Sequence, residues 1–144
     1  MAVSMVGQAW DLQVSHGMCS RERVILGKSA EDLAVEDLAG RGYAILARRY
    51  RTRHGEIDIV ARDGPVLVFV EVKARRDLRC GQPAEAVTRL KQRRIALMAS
   101  RFMSRHRLRD QACRFDVVSV QWPEGERARI EVIQGAFDVP DGIW

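Results

Sequence analysis

Two strand-like segments joined by a turn-forming dipeptide dominate the middle of the chain. Glu56–Arg62 alternates in polarity, Asp63-Gly64 follows it, and Val66–Lys73 is a nearly continuous run of β-branched and aromatic residues. Asp-Gly between two such segments indicates a β-hairpin. The continuous run is typical of a strand buried on both faces. The hairpin therefore belongs inside a sheet that other elements cover on both sides.

The segments around the hairpin predict an α/β fold with helices flanking a central mixed five-stranded sheet. A first helix is predicted over Gly27–Arg41, where apolar residues recur at helical spacing and Gly42 marks the end. A second helix is predicted from Pro83 to about Ser104. The three remaining strands are predicted at Tyr43–Tyr50, Arg114–Gln121 and Arg127–Ile133.

Length and composition fit one domain. The chain has 144 residues, of which 47% are hydrophobic, and a formal charge of +5. We expect residues 1–23 to be a flexible extension and residues 24–144 to form a single domain. No apolar run is long enough for a membrane span, and the three cysteines lack the spacing of a zinc site or a disulfide scaffold. These features predict a cytoplasmic protein.

Basic residues concentrate in two places. Eight lysines and arginines and no acids occur between Arg89 and Arg109, and a second cluster spans Arg48–Arg53. Proteins that bind nucleic acid concentrate charge in this way, because phosphate contacts release counterions. A solvated helix face explains the helix cluster equally well.

The hairpin brings acids and a lysine to one end of one sheet face. With Asp63-Gly64 as the central turn residues, Glu56 faces Glu71 and Asp58 faces Phe69, and Lys73 shares their face. Ile57, Ile59 and the alternate valines form the opposite, wholly apolar face. Opposed carboxylates repel, so either solvent exposure or a divalent cation must relieve them.

Mg²⁺ prefers hard oxygen ligands, and this end of the sheet offers several. Asp58, Glu71 and the backbone carbonyl of Val72 are predicted to hold it, with Mn²⁺ as the substitute ion. Lys73 would then orient or activate the attacking water and stabilise charge on a phosphate. The alternative is a surface charge cluster with no ion.

These motifs resemble the signature of the YraN-like family of small uncharacterised bacterial proteins. The matching segments are Gly55–Ala61, Phe69–Arg75, Ala30-Glu31-x-x-Ala34, Arg114–Val117 and Ala136-Phe137. The family is assigned to the restriction-endonuclease-like superfamily, whose nuclease motif is Asp…Glu-x-Lys, and is related to archaeal Holliday junction resolvases. The resemblance implies Asp58 and Glu71 as metal ligands, Lys73 as the catalytic lysine and Glu31 as a further ligand. Arg49, where the family often has Asn, and Ala74, where it often has Thr or Ser, depart from the pattern.

We therefore expect a Mg²⁺-dependent nuclease that hydrolyses DNA phosphodiester bonds, on branched or otherwise structured DNA rather than a defined sequence. The expected nucleic-acid contacts are Arg48, Arg49, Arg51, Arg75, Lys91 and Arg93. Glu56 and Gln82 are expected to contact the residues that hold the ion and not the ion itself. A non-catalytic nucleic-acid binding module and a scaffold held by a salt-bridge network remain alternatives. A symmetric homodimer would suit a branched substrate.

Overall fold

The computed structural model describes residues 29–75, 87–123 and 126–144. The expectations for residues 1–23, Gln82 and the helix start at Pro83 lie wholly or partly outside these ranges. The described elements are two helices, α1 (Ala30–Gly40) and α2 (Arg89–Arg105), and five strands. The strands are β1 (Ala44–Thr52), β2 (Gly55–Asp63), β3 (Val66–Arg75), β4 (Cys113–Gln121) and β5 (Arg129–Phe137).

The strands form one mixed sheet in the order β1-β2-β3-β4-β5. Each neighbouring pair is antiparallel except β3 and β4, which are parallel. The central strand β3 is almost completely buried, as its continuous apolar run predicted. The predicted α/β class and the order of elements are confirmed.

Local hydrogen bonds fix both the start and the end of α1. Ser29 Oγ accepts from Asp32 N at 3.1 Å, and the Asp32 carboxylate accepts from Ser29 N, which makes a capping box. At the other end Gly42 has φ +96 and Tyr43 N donates to Leu38 O at 3.0 Å. This glycine-dependent ending confirms the predicted stop. The first turn of α1 is thereby fixed, with Glu31 facing the sheet.

Helix α2 begins later than the sequence predicted. Thr88 has extended backbone angles and its side chain accepts from Lys91 N, so the helix starts at Arg89. Val87 precedes this cap and packs in the core. Ile95, Met98 and Phe102 of α2 are buried in the core against the sheet, whereas Leu90 is exposed. Neither described helix is long and apolar enough to cross a membrane, and the cytoplasmic location stays a prediction.

The predicted register of the hairpin was wrong by two residues. The strands close at Asp63↔Val66, so Gly64-Pro65 forms the turn, and Val60 pairs with Phe69. Gly64 has φ +56, which suits the first central position of a tight hairpin turn. The register centred on Asp63-Gly64 would instead place Pro65, which has no N–H, in the ladder. Extended past the last pair, the observed register carries Asp58 towards Glu71 rather than towards Phe69.

The predicted two-face alternation also fails at one point in β2. Ile59 packs with α1, whereas Ile57 packs with Val60 on the side of α2. Ile57 therefore does not belong to the predicted apolar face. In β1, across from this point, Arg49 has φ +51, and β2 and β3 stop pairing beyond Ile59↔Val70. The ladder between β2 and β3 therefore ends next to the acidic residues Asp58 and Glu71.

Candidate active site

Asp58 lies in a fork between β2 and β3. The last ladder pair is Ile59↔Val70, and one residue further the Asp58 Oδ2 atom accepts from Val72 N at 2.8 Å. The carboxylate thus takes the place of a backbone acceptor between two separating strands. Asp58 is only 4% exposed. The alternation rule placed it on a sheet face, whereas its carboxylate is bonded to the neighbouring strand.

Glu71 lies beside the fork, and two ammonium groups form ion pairs with one of its carboxylate oxygens. Its Oε1 atom is 3.2 Å from Lys73 Nζ and 3.3 Å from Lys91 Nζ. Glu71 and Lys73 are both 2% exposed. Neither oxygen of Glu71 accepts a hydrogen bond of normal geometry from the described part of the chain. A buried carboxylate without such bonds is rare.

The electrostatics of the fork favour a neutral Asp58. Burial raises the pKa of Asp58 well above its ordinary value, and the charge of Glu71 raises it further. The bond from Val72 N and the ammonium of Lys91 act in the opposite direction but do not balance these effects. A cation beside Asp58 would restore its ionised form.

The ligand atoms at the fork are of the chemical type that a hard divalent cation prefers. Two carboxylates and the backbone of Val72 supply the oxygen chemistry that Mg²⁺ prefers, and Glu71 has unsatisfied oxygens to offer. Within the described ranges, no three Asp, Glu, His or Cys side chains lie together closely enough to hold an ion. The predicted third acid, Glu31, does not complete such a cluster, but it is near enough for its charge to contribute to the raised pKa of Asp58.

Glu31 is instead bound by two consecutive arginines of β1. Its Oε1 atom accepts from Arg48 Nε at 3.0 Å, and its Oε2 atom is 3.2 Å from Arg49 Nε. Arg48 also donates to Asp32 Oδ1 at 2.6 Å. The bond from Arg48 lowers the pKa of Asp32. Burial disfavours the charged form of Arg48, but its bonds to Asp32 and Glu31 outweigh this and raise its pKa.

The other predicted contact residues lie in different surroundings. Arg51 is exposed and pairs at 2.6 Å with Glu56 at the start of β2, and the supporting role of Glu56 stays a prediction. Arg93 is exposed on α2. Arg75 is 4% exposed, as buried as Asp58, and its contact with nucleic acid stays a prediction. Gln82 lies outside the described residues.

Sequence reasoning did not foresee that the two basic segments meet. Arg53 and Arg101 both act on His54, in the turn between β1 and β2. Slight desolvation and these two positive charges lower the pKa of His54. Met98 packs over Gly55 and brings α2 to this turn. No sequence signal links the turn to the helix, because their contact depends on how the helix lies on the sheet.

A second polar cluster lies near the opposite end of β2. Arg114 pairs with buried Asp116 at 2.8 Å and with Asp63 at 3.0 Å. Arg114 also donates to the hydroxyl of Tyr43, and Gly135 N donates to Asp116. Arg114 and Asp116 therefore form an ion pair that joins this cluster together.

The fold and the fork together define a class of protein. A five-stranded mixed sheet between two helices, with an Asp…Glu-x-Lys set at its centre, is consistent with a restriction-endonuclease-like fold. The chain belongs to the YraN family, whose model, described as "Uncharacterised protein family UPF0102", matches residues 30–120. The predicted membership is confirmed.

Curated relatives extend this match over most of the chain. A UPF0102 protein of Symbiobacterium thermophilum, STH1475, is 51% identical over 112 residues, which cover 78% of this chain and 95% of the relative. A UPF0102 protein of Geotalea uraniireducens is 45% identical over 114 residues, covering 79% and 90%. One from Frankia alni, FRAAL5785, is 44% identical over 120 residues, covering 83% and 100%.

Proposed function

We propose that the protein is a divalent-metal-dependent nuclease that hydrolyses phosphodiester bonds of DNA, with branched or otherwise structured DNA as its substrate. The observation that carries the proposal is the pair of acids at the fork. Asp58 and Glu71 are both buried, and Glu71 lacks hydrogen bonds. Such a pair is costly for a purely structural protein, because two neighbouring buried carboxylates repel each other. Among the described residues, Glu71 is compensated by the ammonium groups of Lys73 and Lys91 but accepts no hydrogen bond of normal geometry.

Asp58, Glu71 and the backbone carbonyl of Val72 are the groups that would hold Mg²⁺ or Mn²⁺. When bound, such an ion supplies Lewis-acid polarisation of the phosphate and lowers the pKa of water. The chain's own contribution is a dry, fixed arrangement of charge. The buried ammonium of Lys73 lies 3.2 Å from Glu71 Oε1 and can donate to a phosphate oxygen as negative charge develops there.

The proposed reaction is a hydrolysis at phosphorus. The oxygen of a water molecule bonds to phosphorus, and the bond from phosphorus to the 3′ oxygen breaks. One proton of the water is transferred to the leaving oxygen, so the products are a 3′-hydroxyl and a 5′-phosphate. A symmetric dimer would bring two such sites to a branched substrate.

Cleavage of linear, flapped and four-way-junction DNA by the full chain, with Mg²⁺ or Mn²⁺, tests the proposal. We expect cleavage with the ion and none in EDTA. Asp58→Ala and Lys73→Ala should abolish cleavage while DNA binding persists. Arg41→Ala is the control, because Arg41 makes only an exposed pair with Asp37. Cleavage that survives both site substitutions would refute the assignment.

The competing function is a nucleic-acid binding module that does not cleave. Two observations favour a binding module. The arginines of α2 are exposed, and Arg101 of α2 acts on the same histidine, His54, as Arg53 does. Dependence on metal separates the two. A binding module would hold DNA equally well in EDTA, would cleave no substrate and would be indifferent to loss of Asp58.

A further inference from the structure

Glu31 is a buried acid whose partners are two guanidinium groups. Its side chain is fully buried, and Arg48 Nε and Arg49 Nε lie 3.0 and 3.2 Å from its two oxygens. Asp32, the next residue, binds Arg48 as well, at 2.6 Å. Charge-assisted bonds of this kind fix a guanidinium in place. The first turn of α1 therefore holds two adjacent arginines of β1.

The backbone of Arg49 explains how two consecutive strand residues reach one carboxylate. Consecutive side chains of a strand normally point to opposite faces. Arg49 has φ +51, a left-handed conformation that is strained for a residue with a side chain. This conformation turns its side chain to Glu31, beside that of Arg48. Strain of this kind is maintained only where surrounding contacts enforce it, and it is concentrated at functional sites.

The arginine pair, Arg48 and Arg49, lies one strand away from the fork. Arg48 pairs with Ile59 and Tyr50 with Ile57, so Arg49 is across from Asp58. Neighbouring strands lie about 4.8 Å apart. A guanidinium carries five N–H donors in a planar arrangement that matches phosphate oxygens. The side chain of Arg48 is 38% exposed and so accessible to a ligand.

We infer that Arg48 and Arg49 together bind a phosphate of the substrate strand beside the fork, and that Glu31 positions them and is not a ligand of the metal ion. The inference rests on the proposed nuclease function for the identity of the substrate. The family resemblance implies that Glu31 is a metal ligand, whereas this inference makes it a positioning residue. Its basis is that both oxygens of Glu31 are bound by the arginine pair and that, among the described residues, Glu31 forms no three-acid cluster with Asp58 and Glu71.

Metal affinity tests the part assigned to Glu31. We expect Mn²⁺ to bind Glu31→Gln within about threefold of its affinity for the unaltered chain, measured by calorimetry without DNA. Asp58→Asn should lose about tenfold or more. A loss beyond about threefold in Glu31→Gln would overturn the inference. If the unaltered chain binds no Mn²⁺, the proposed function is refuted. The phosphate-binding role of Arg48 and Arg49 is then tested by DNA binding alone.

DNA binding in EDTA tests the arginine pair itself. The slope of log affinity against log salt should fall by about 1 in Arg48→Ala and in Arg49→Ala. Arg41→Ala should leave it unchanged. Unchanged slopes in both variants of the pair would overturn the inference, whether or not the protein cleaves DNA.

A double-mutant cycle tests the positioning role. If Glu31 orients the pair, Arg49→Ala should cost less affinity in the Glu31→Gln background than in the unaltered chain. Equal costs would show that Glu31 does not orient the pair. Should Glu31→Gln fail to fold, Arg49→Lys replaces it, because lysine keeps a charge for Glu31 but lacks the planar donors. Loss of affinity there supports the pair, and full affinity refutes it.

Discussion

Replacing Asp58 with Asn should stabilise the protein at neutral pH while abolishing its proposed activity. Asn is the neutral isostere of the carboxyl group, and its amide oxygen can still accept from Val72 N. The pKa of Asp58 is raised well above its ordinary value by burial and by Glu71. Each unit by which a pKa is raised makes the charged form less stable by about 1.4 kcal/mol. We therefore expect a gain in the free energy of unfolding, which grows by about 1.4 kcal/mol for each pH unit between the unfolded pKa and the raised pKa.

The gain should depend on pH in a defined direction. A group whose pKa is raised by folding contributes stability that is fully present below its unfolded pKa, near 3.8. That contribution is lost as the pH rises through the raised pKa. At a pH below the unfolded pKa of 3.8, the unaltered chain and Asp58→Asn should therefore be equally stable. As the pH rises above this value, the free energy of unfolding of the unaltered chain should fall below that of Asp58→Asn.

Urea unfolding of both proteins in EDTA, from acidic to mildly alkaline pH, measures this difference. Asp37→Asn is the matched control, because Asp37 is partly exposed and pairs with Arg41 on the surface. An Asp58→Asn protein that is less stable than the unaltered chain at neutral pH would refute the reasoning. It would support the scaffold alternative, in which the charges of the fork hold the fold together.

Two further predictions concern the basic surface and the second polar cluster. Replacing exposed Arg89, Arg93 and Arg101 with Ala should flatten the salt dependence of DNA affinity, because each removes a phosphate contact, and an unchanged slope would exclude α2 from the interface. Asp116→Ala should reduce the free energy of unfolding by about 1–3 kcal/mol, because it removes the buried acceptor of Arg114 and Gly135 N while Arg114 keeps its pair with Asp63. Chemical denaturation measures this loss, and a loss below about 1 kcal/mol would contradict a structural role.

The sequence was sufficient to predict the elements of the fold. Strand-length apolar runs and helical periodicity depend on local spacing, which survives small errors in boundaries. The hairpin register was off by two residues, yet most side chains kept their faces, because alternation has a period of two. The start of α2 was missed because Pro83 is a plausible first residue and Thr88, the actual cap, is an unremarkable residue in the sequence.

The candidate site was predicted in composition but not in arrangement. Asp58, Glu71 and Lys73 do lie together, as the spacing of the two hairpin strands predicted. Their assignment as metal ligands and catalytic lysine stays a proposal. Nothing in the sequence distinguished Glu31 as a metal ligand from Glu31 as a partner of arginines. That distinction depends on Arg49, whose left-handed backbone no periodicity argument predicts.

The sequence by itself determined the sheet, the buried central strand and the convergence of acids and lysine at one end of a hairpin. These follow from polarity patterns and turn residues, which act over a few positions of the chain. Only the tertiary structure decided that β2 and β3 separate at Asp58, that Lys91 of α2 reaches Glu71, and that Glu31 is bound by Arg48 and Arg49. Each of these contacts joins elements that are distant in sequence. Their geometry depends on how helices and strands bend against one another, and side-chain spacing along the chain does not encode it.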